Sequence, residues 1–244
     1  MDKLDLDIII SLKVDSDDRI NNLDIVMNYL QNNLRCNIII SEQDTFPKLK
    51  DRYDCDYVFT EVDEFFNRQR GLNIGVTKSN AKVIAHYDAD IIINIKQLLK
   101  SYQLINSDNY DMIYPYDGRF LDVPKEYHDM IDKLELIPTD KCNLFNSNSV
   151  GGVVFFNRQV FLNGGGANEN FKGLGYEDNE IFERFTKLGY NYARVEGLLY
   201  HLNHIRTDTA YDNNPYVNQN AEEYNRIASM NKQQLENEIK TWNF

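Results

Sequence analysis

Short apolar runs closed by polar turns recur through the first ninety or so positions, and they predict alternating strands and helices. Leu6-Asp7-Ile8-Ile9-Ile10-Ser11 reads as a buried strand, and Ile20, Leu23, Val26, Met27 and Leu30 carry helical spacing. Cys36 to Ser41 is a short β-rich run, Phe65 to Lys78 is helical through Phe65, Leu72 and Val76, and Ala81 to Tyr87 is a third strand. Such alternation predicts a mostly parallel sheet covered on both faces. Sheets of that kind bind ligands at the carboxyl ends of their strands. From about 110 to 149 the pattern weakens into Pro- and Asp-containing turns with one helical stretch, expected to be an insertion or cover rather than a second domain. Regular signals resume at Gly151-Gly152-Val153-Val154-Phe155-Phe156. A glycine-rich stretch (Gly164-Gly165-Gly166, then Gly173-Leu174-Gly175-Tyr176) precedes a helix with Ile181, Phe182, Phe185 and Leu188 inward. Tyr192 to Tyr200 is a last strand, and Ala221 to Trp242 a charged amphipathic helix. That helix mixes Glu with Lys and has no basic face, so packing on the core is expected ahead of dimerisation or a membrane surface.

Composition narrows the function. The 244 residues carry 38 acidic against 26 basic side chains, a net charge of −12, with 42% hydrophobic residues. Disorder is excluded, and a nucleic-acid partner is not expected, because phosphate-tracking proteins depend on clustered Lys and Arg. An anionic ligand must therefore be held locally, through a metal for example. The acidic start, Met1-Asp2-Lys3-Leu4-Asp5, is unlike a signal peptide, and no apolar run approaches the ~20 residues of a membrane span. Cys36, Cys55 and Cys142 have no paired spacing; buried thiols in a reducing cytoplasm are the expectation.

Four constellations could carry chemistry. Asp88-Ala89-Asp90 closes the strand Lys82 to Tyr87, and strand alternation would turn both carboxylates to one face at the sheet's carboxyl edge. A divalent cation there would bridge the protein to a diphosphate. Alone, this pattern is weak and reads first as a solvated acidic turn. His201-Leu202-Asn203-His204 follows the last strand. Both imidazoles face one way in a helical turn and opposite ways in a strand, so one ligand is expected rather than two. Carboxylate plus imidazole favours Mn²⁺ over Ca²⁺. Glu177 and Asp178 stand at a helix start, where acids complement the dipole but could also grip a hydroxyl and remove a proton. Glu180 with Arg184, and Glu183 with Lys187, read as surface pairs. Around Phe66-Asn67-Arg68-Gln69-Arg70, basic side chains could face a phosphate or be a solvated helix face.

Taken together and in order, these pieces resemble the metal-dependent GT-A glycosyltransferases, most closely the β-1,4-galactosyltransferase group and related bacterial polysaccharide glycosyltransferases. The matched residues are Arg19-x-x-Asn22-Leu23, Phe66-Asn67-Arg68 with Asn73, Asp88-Ala89-Asp90, Gly151-Gly152-Val153, Gly173-x-Gly175-x-Glu177-Asp178 and His201-x-x-His204, from about Leu6 to Pro215. The resemblance implies an α/β single domain with a GT-A (Rossmann-like) mixed, mostly parallel sheet flanked by helices. Residues 1–215 would form the catalytic domain and 216–244 a C-terminal helical extension packed on it. It implies Asp90 and His204 as metal ligands, Asp88 supporting ribose or metal, Asp178 as catalytic base, and Glu177 gripping donor or acceptor hydroxyls. His201 stands where the group has another metal-contacting residue, not usually histidine. Ser11, Lys13 and Asp15 fall where a uridine-binding loop is expected, with Arg68 and Gly152 near the nucleotide. Leu174 replaces an acceptor-contacting tryptophan.

The implied activity is inverting transfer of a hexose, galactose or N-acetylgalactosamine first, from a UDP-sugar to a hydroxyl of a glycan or glycoconjugate. Mn²⁺, or Mg²⁺, would be the cofactor, and Asn163 to Gly175 a lid. A homo-oligomer is open. The rivals are a sugar nucleotidyltransferase, which would carry a glycine- and arginine-rich loop where Leu12-Lys13-Val14-Asp15-Ser16 has no glycine, and a non-catalytic nucleotide-sugar or carbohydrate-binding module of the same fold.

Overall fold

In the computed structural model the described residues are 3–62, 65–205 and 214–242; Met1 and Asp2, part of the signal-peptide reading, lie outside them. β1 (Leu6–Leu12) is buried at every position, so its centre, Ile8-Ile9-Ile10, is apolar on both faces rather than alternating, with Asp7 and Ser11 as buried polar residues on either side. α1 (Asp17–Asn33) starts where the Ser16 hydroxyl accepts the Arg19 amide, with Asp17 and Asp18 complementing the helix dipole. There follow β2 (Asn37–Asp44), β3 (Asp56–Glu61), α2 (Arg68–Lys78), β4 (Val83–Tyr87), β5 (Ile91–Ile93), α3 (Ile95–Asn106), β6 (Met112–Tyr114) and β7 (Phe120–Val123). After 3₁₀ turns between Lys125 and Lys141 come β8 (Asn143–Asn146), β9 (Val153–Asn157), α4 (Arg158–Asn163), α5 (Glu177–Leu188), β10 (Tyr192–Arg194), β11 (Leu199–Leu202), α6 (Val217–Ala228) and α7 (Lys232–Glu238).

The main sheet has seven strands in the order β10-β6-β9-β4-β1-β2-β3, parallel except at β9, which runs against both β4 and β6. A four-stranded sheet, β5-β11-β7-β8, caps the carboxyl edge of β4 and carries the histidines. The expected mixed, mostly parallel α/β architecture is therefore observed. No helix among the described residues is long and apolar enough to cross a membrane.

Several local expectations change. The 110–149 stretch is more than a cover, since it gives β6 to the main sheet and β7 and β8 to the smaller one. The predicted strand Tyr192 to Tyr200 divides into β10 and β11, which belong to different sheets. The predicted helix Ala221 to Trp242 is two helices, because Asn231 opens α7 with a reciprocal cap to Gln234. Both pack on α5 through Leu188, Ile227 and Leu235, with Trp242 alongside. Glu183 and Lys187 pair at the surface as expected, but Glu180 and Arg184 are buried. Arg184 binds Glu180 and the carbonyls of Gly164 and Gly166, and lies over the rings of Phe185 and Trp242. The three cysteines are unpaired and half-buried rather than fully buried.

Candidate active site and metal centre

One cleft of about 300 Å³ opens at the carboxyl edge of β1 and β4. Ser11, Lys13, Asp15, Arg68, Asp88, Asp90, Gly152, Glu177, Asp178, His201 and His204 all line it, although they come from segments scattered over most of the chain. Each is delivered by the end of a regular element: the loop after β1, the first turn of α2, the turn after β4, the entry to β9, the first turn of α5, and β11 with the turn beyond it.

At one wall Asp90, 5% exposed, presents Oδ2 to three cationic or imidazole groups. Arg19 Nη1 donates to it, His204 Nε2 lies 3.1 Å away and His201 Nε2 3.9 Å away. Asp90, His201 and His204 form a group whose ligand atoms all lie within 4.8 Å of one another. One carboxylate and two imidazoles suit a divalent transition ion such as Mn²⁺. Burial would raise the Asp90 pKa, but His201, Arg19 and His204 outweigh it and hold the carboxyl well below the usual range. Burial would lower that of His204, yet its bond to Asp90 raises it above the ordinary imidazole value. Contrary to expectation both imidazoles face Asp90. β11 ends at Leu202, and the turn through Asn203 brings His204 back to the face from which His201 projects.

Asp88 behaves differently. β4 ends at Tyr87, so strand alternation does not pair the two aspartates. Asp88 Oδ1 accepts from Arg68 Nη2 at 2.6 Å and Nε at 3.0 Å, and it stands apart from the Asp90 group. Arg68, expected to be either solvated or phosphate-facing, is buried, because the Asn67 cap turns the start of α2 into the cleft. Its Nη1 donates to Asp178 Oδ1 at 2.8 Å and to Glu177 Oε1 at 3.4 Å. Burial would lower the Arg68 pKa, but Asp178, Asp88 and Glu177 drive it well above the usual value. Burial together with Asp90 and Asp178 pushes Asp88 up to about 6 against the pull of Arg68. Burial and the charge of Asp178 push Glu177 up to about 7. The opposite wall is thus a cluster of three carboxylates sharing one guanidinium.

Backbone conformation makes room for it. Tyr176, at φ 69°, and Gly175, at φ 129°, turn the chain sharply so that α5 begins with Glu177 and Asp178 inside the cleft. The Gly175 amide donates to Glu177 Oε2. A side chain at Gly151 would collide with Asp178, its Cβ falling 2.4 Å from Oδ2. In the glycine-rich segment expected as a lid, Asn73 clamps Ala167 through both backbone groups, and Ala167, Asn168 and Phe171 are buried. Leu174 is its contribution to the cleft lining.

Ser11 Oγ is buried against α2 and makes no hydrogen bond within the described chain, whereas Arg19 supports Asp90 and bridges toward Asp15 at 3.7 Å. Two further residues escaped the sequence reading. Asp122 on β7 accepts a hydrogen bond from His201, and the Tyr116 hydroxyl donates to the Gly151 carbonyl at 2.6 Å. An acid placed among apolar neighbours in Phe120-Leu121-Asp122-Val123 was the available signal for the first.

The mixed, mostly parallel sheet flanked by helices is that of the GT-A fold, shared with solved galactosyltransferase structures. The chain is similar to the β-1,4-galactosyltransferase group within that fold. Residues 136–208, which include Glu177, Asp178, His201 and His204, match the family model for the N-terminal domain of galactosyltransferase. The catalytic domain of Drosophila β1,4-galactosyltransferase 7, solved with xylobiose, superposes with a TM-score of 0.50 at 19% identity, over 78% of this chain. A mutant of the same fly protein, solved with manganese, UDP-Gal and xylobiose, gives a TM-score of 0.50 at 18% identity over the same share. The chain spans 63% of the length of each of those structures. No curated protein matches the sequence significantly.

Proposed function

We propose that the protein is a metal-dependent, inverting glycosyltransferase that moves a hexose, galactose or N-acetylgalactosamine first, from a UDP-sugar to a hydroxyl of a glycan or glycoconjugate. The observation that carries this reading is the convergence, in one cleft, of the Asp90, His201 and His204 group with the Arg68, Glu177 and Asp178 cluster. Asp90, His201 and His204 would hold Mn²⁺, which when bound supplies Lewis-acid stabilisation of charge on a departing diphosphate. That role answers how a chain of net charge −12 holds a polyanion. Arg19, beside Asp90, offers a second positive charge to the same diphosphate. Ser11, Lys13 and Asp15 flank the nucleotide end of the cleft, and the buried Ser11 hydroxyl has hydrogen-bonding capacity to offer a ligand there.

Asp178 takes the proton of the acceptor hydroxyl as its oxygen attacks the anomeric carbon. The bond from that carbon to the diphosphate oxygen breaks with its electron pair leaving on UDP, and configuration inverts. Arg68 orients the base through Oδ1. Glu177, with a pKa of about 7, exchanges near neutrality between donor and acceptor forms and so suits a hydroxyl-gripping role. The test is incubation with Mn²⁺ and a panel of UDP-sugars and glycan acceptors. UDP release with an inverted product, lost in Asp178→Asn while donor binding persists, supports the reading. Donor binding without turnover for every acceptor supports a binding module instead, and an active Asp178→Asn enzyme removes the base assignment.

A further inference from the structure

The two imidazoles beside Asp90 are each fixed from behind, by different means. His204 Nδ1 lies 2.8 Å from the Ile205 carbonyl oxygen, an acceptor only, so this nitrogen carries a proton and Nε2 is the ring atom turned toward Asp90. The Ile205 peptide is itself held by its amide, which donates to Asp18 Oδ2 at 3.1 Å. His201 Nδ1 lies 2.7 Å from Asp122 Oδ1, and the other Asp122 oxygen accepts from Asn203 Nδ2 at 2.6 Å. The register of β7 against β11 puts Asp122 directly across the ladder from His201, so the contact is built into the sheet rather than made by a mobile loop. The face of the His201 ring lies against Phe120, with centroids 5.5 Å apart. An imidazole bound in this manner has one tautomer and one orientation, with Nε2 directed into the cleft.

We infer that Asp122 is a positioning residue of the metal centre: by accepting the Nδ1 proton of His201 it sets that imidazole to offer Nε2 to a cation shared with Asp90 and His204. The inference deepens the metal reading given above and rests on it. Outer carboxylates of this kind raise the basicity of a ligating imidazole and fix its direction, and removing one typically lowers metal affinity 10–100-fold. A purely structural Asp122–His201 pair would join β7 to β11 and leave cation binding unaffected.

The experiment uses the full chain and Mn²⁺ alone, with free Mn²⁺ followed by its EPR signal, in wild type, Asp122→Ala, Asp122→Asn, His201→Ala and the Asp122→Ala/His201→Ala double variant. Asp122→Ala should weaken Mn²⁺ binding about 10–100-fold. Asp122→Asn, whose amide oxygen still accepts from Nδ1, should recover most of the affinity. The loss should vanish in the His201→Ala background. In metal-free wild type well above neutral pH, ¹⁵N imidazole NMR should find the His201 proton on Nδ1. Wild-type affinity in Asp122→Ala, an equal loss with and without His201, or a wild-type His201 proton on Nε2 each overturns the inference, and the last needs no variant to fold. A wild type that binds no Mn²⁺ removes the metal reading and this inference together. Binding with Asp122→Ala unchanged removes only the role of Asp122, and neither readout depends on sugar transfer.

Discussion

Replacing Arg68 with methionine probes the charge arrangement of the cleft most severely. The guanidinium is 4% exposed and is shared by Asp88 at 2.6 Å, Asp178 at 2.8 Å and Glu177 at 3.4 Å. Methionine keeps much of the volume and deletes the charge. Removing one partner from a buried ionic network costs about 3–5 kcal/mol, since the remaining charges stay buried without compensation. The cost must depend on pH. Without Arg68 the native carboxyls bind protons more tightly than in the unfolded chain, so the variant is least penalised in acid and loses stability as pH rises. Asp88 and Glu177, already raised to about 6 and about 7 with Arg68 in place, define where that loss falls. Urea unfolding followed by circular dichroism measures it. With an m-value of about 2–3 kcal/mol/M, the midpoint at about pH 8 should drop by about 1–2 M, and the gap to wild type should narrow by about pH 5. A gap under about 1 kcal/mol at the higher pH, or one that does not vary with pH, would refute the claim that three charged acids depend on this one cation.

Gly151→Ala places a methyl 2.4 Å from Asp178 Oδ2, so it should sharply lower transfer while leaving Mn²⁺ affinity within about threefold, for Asp178 lies outside the Asp90 group; intact turnover would show that the Asp178 position is not critical. Glu177→Gln removes a carboxyl whose pKa rises from 4.5 to about 7 on folding. A raised acid contributes stability below its unfolded pKa and loses it as pH climbs through the folded one. Wild type should therefore lose stability relative to Glu177→Gln between about pH 4.5 and about pH 7, and a parallel pair of pH–stability curves would contradict the burial of Glu177 as a titrating group.

The main sheet was legible because β1 and β4 are buried on both faces and so appear as short, mostly apolar runs, Ile8 to Ile10 and Val83 to Ala85, a signal independent of partners. The smaller sheet was not. Its strands are three or four residues long, too short to establish a period, and their pairing joins β5, β7, β8 and β11 across more than one hundred positions of sequence. The acidic turn and the two histidines were recognisable as chemistry, but the strand rule misdirected their side chains, because β4 and β11 each stop just short of the residue that matters. Arg184 looked like an exposed helix charge, and spacing alone left Arg68 open between a solvated and a phosphate-facing position, since spacing along a helix does not reveal which face the fold covers. α3 carries a helical repeat in Leu98, Tyr102 and Ile105 that merges with the apolar run of β5 before it.

The measurement closest to the heart of this account is pulsed EPR of Mn²⁺ titrated into the wild-type chain. A single bound ion with ¹⁴N coupling from two imidazoles, reduced to one in His204→Ala and abolished as a tight site in Asp90→Ala, is the expected result. An ion bound without nitrogen coupling, or with wild-type affinity in Asp90→Ala, would contradict the convergence of Asp90, His201 and His204 on a common cation.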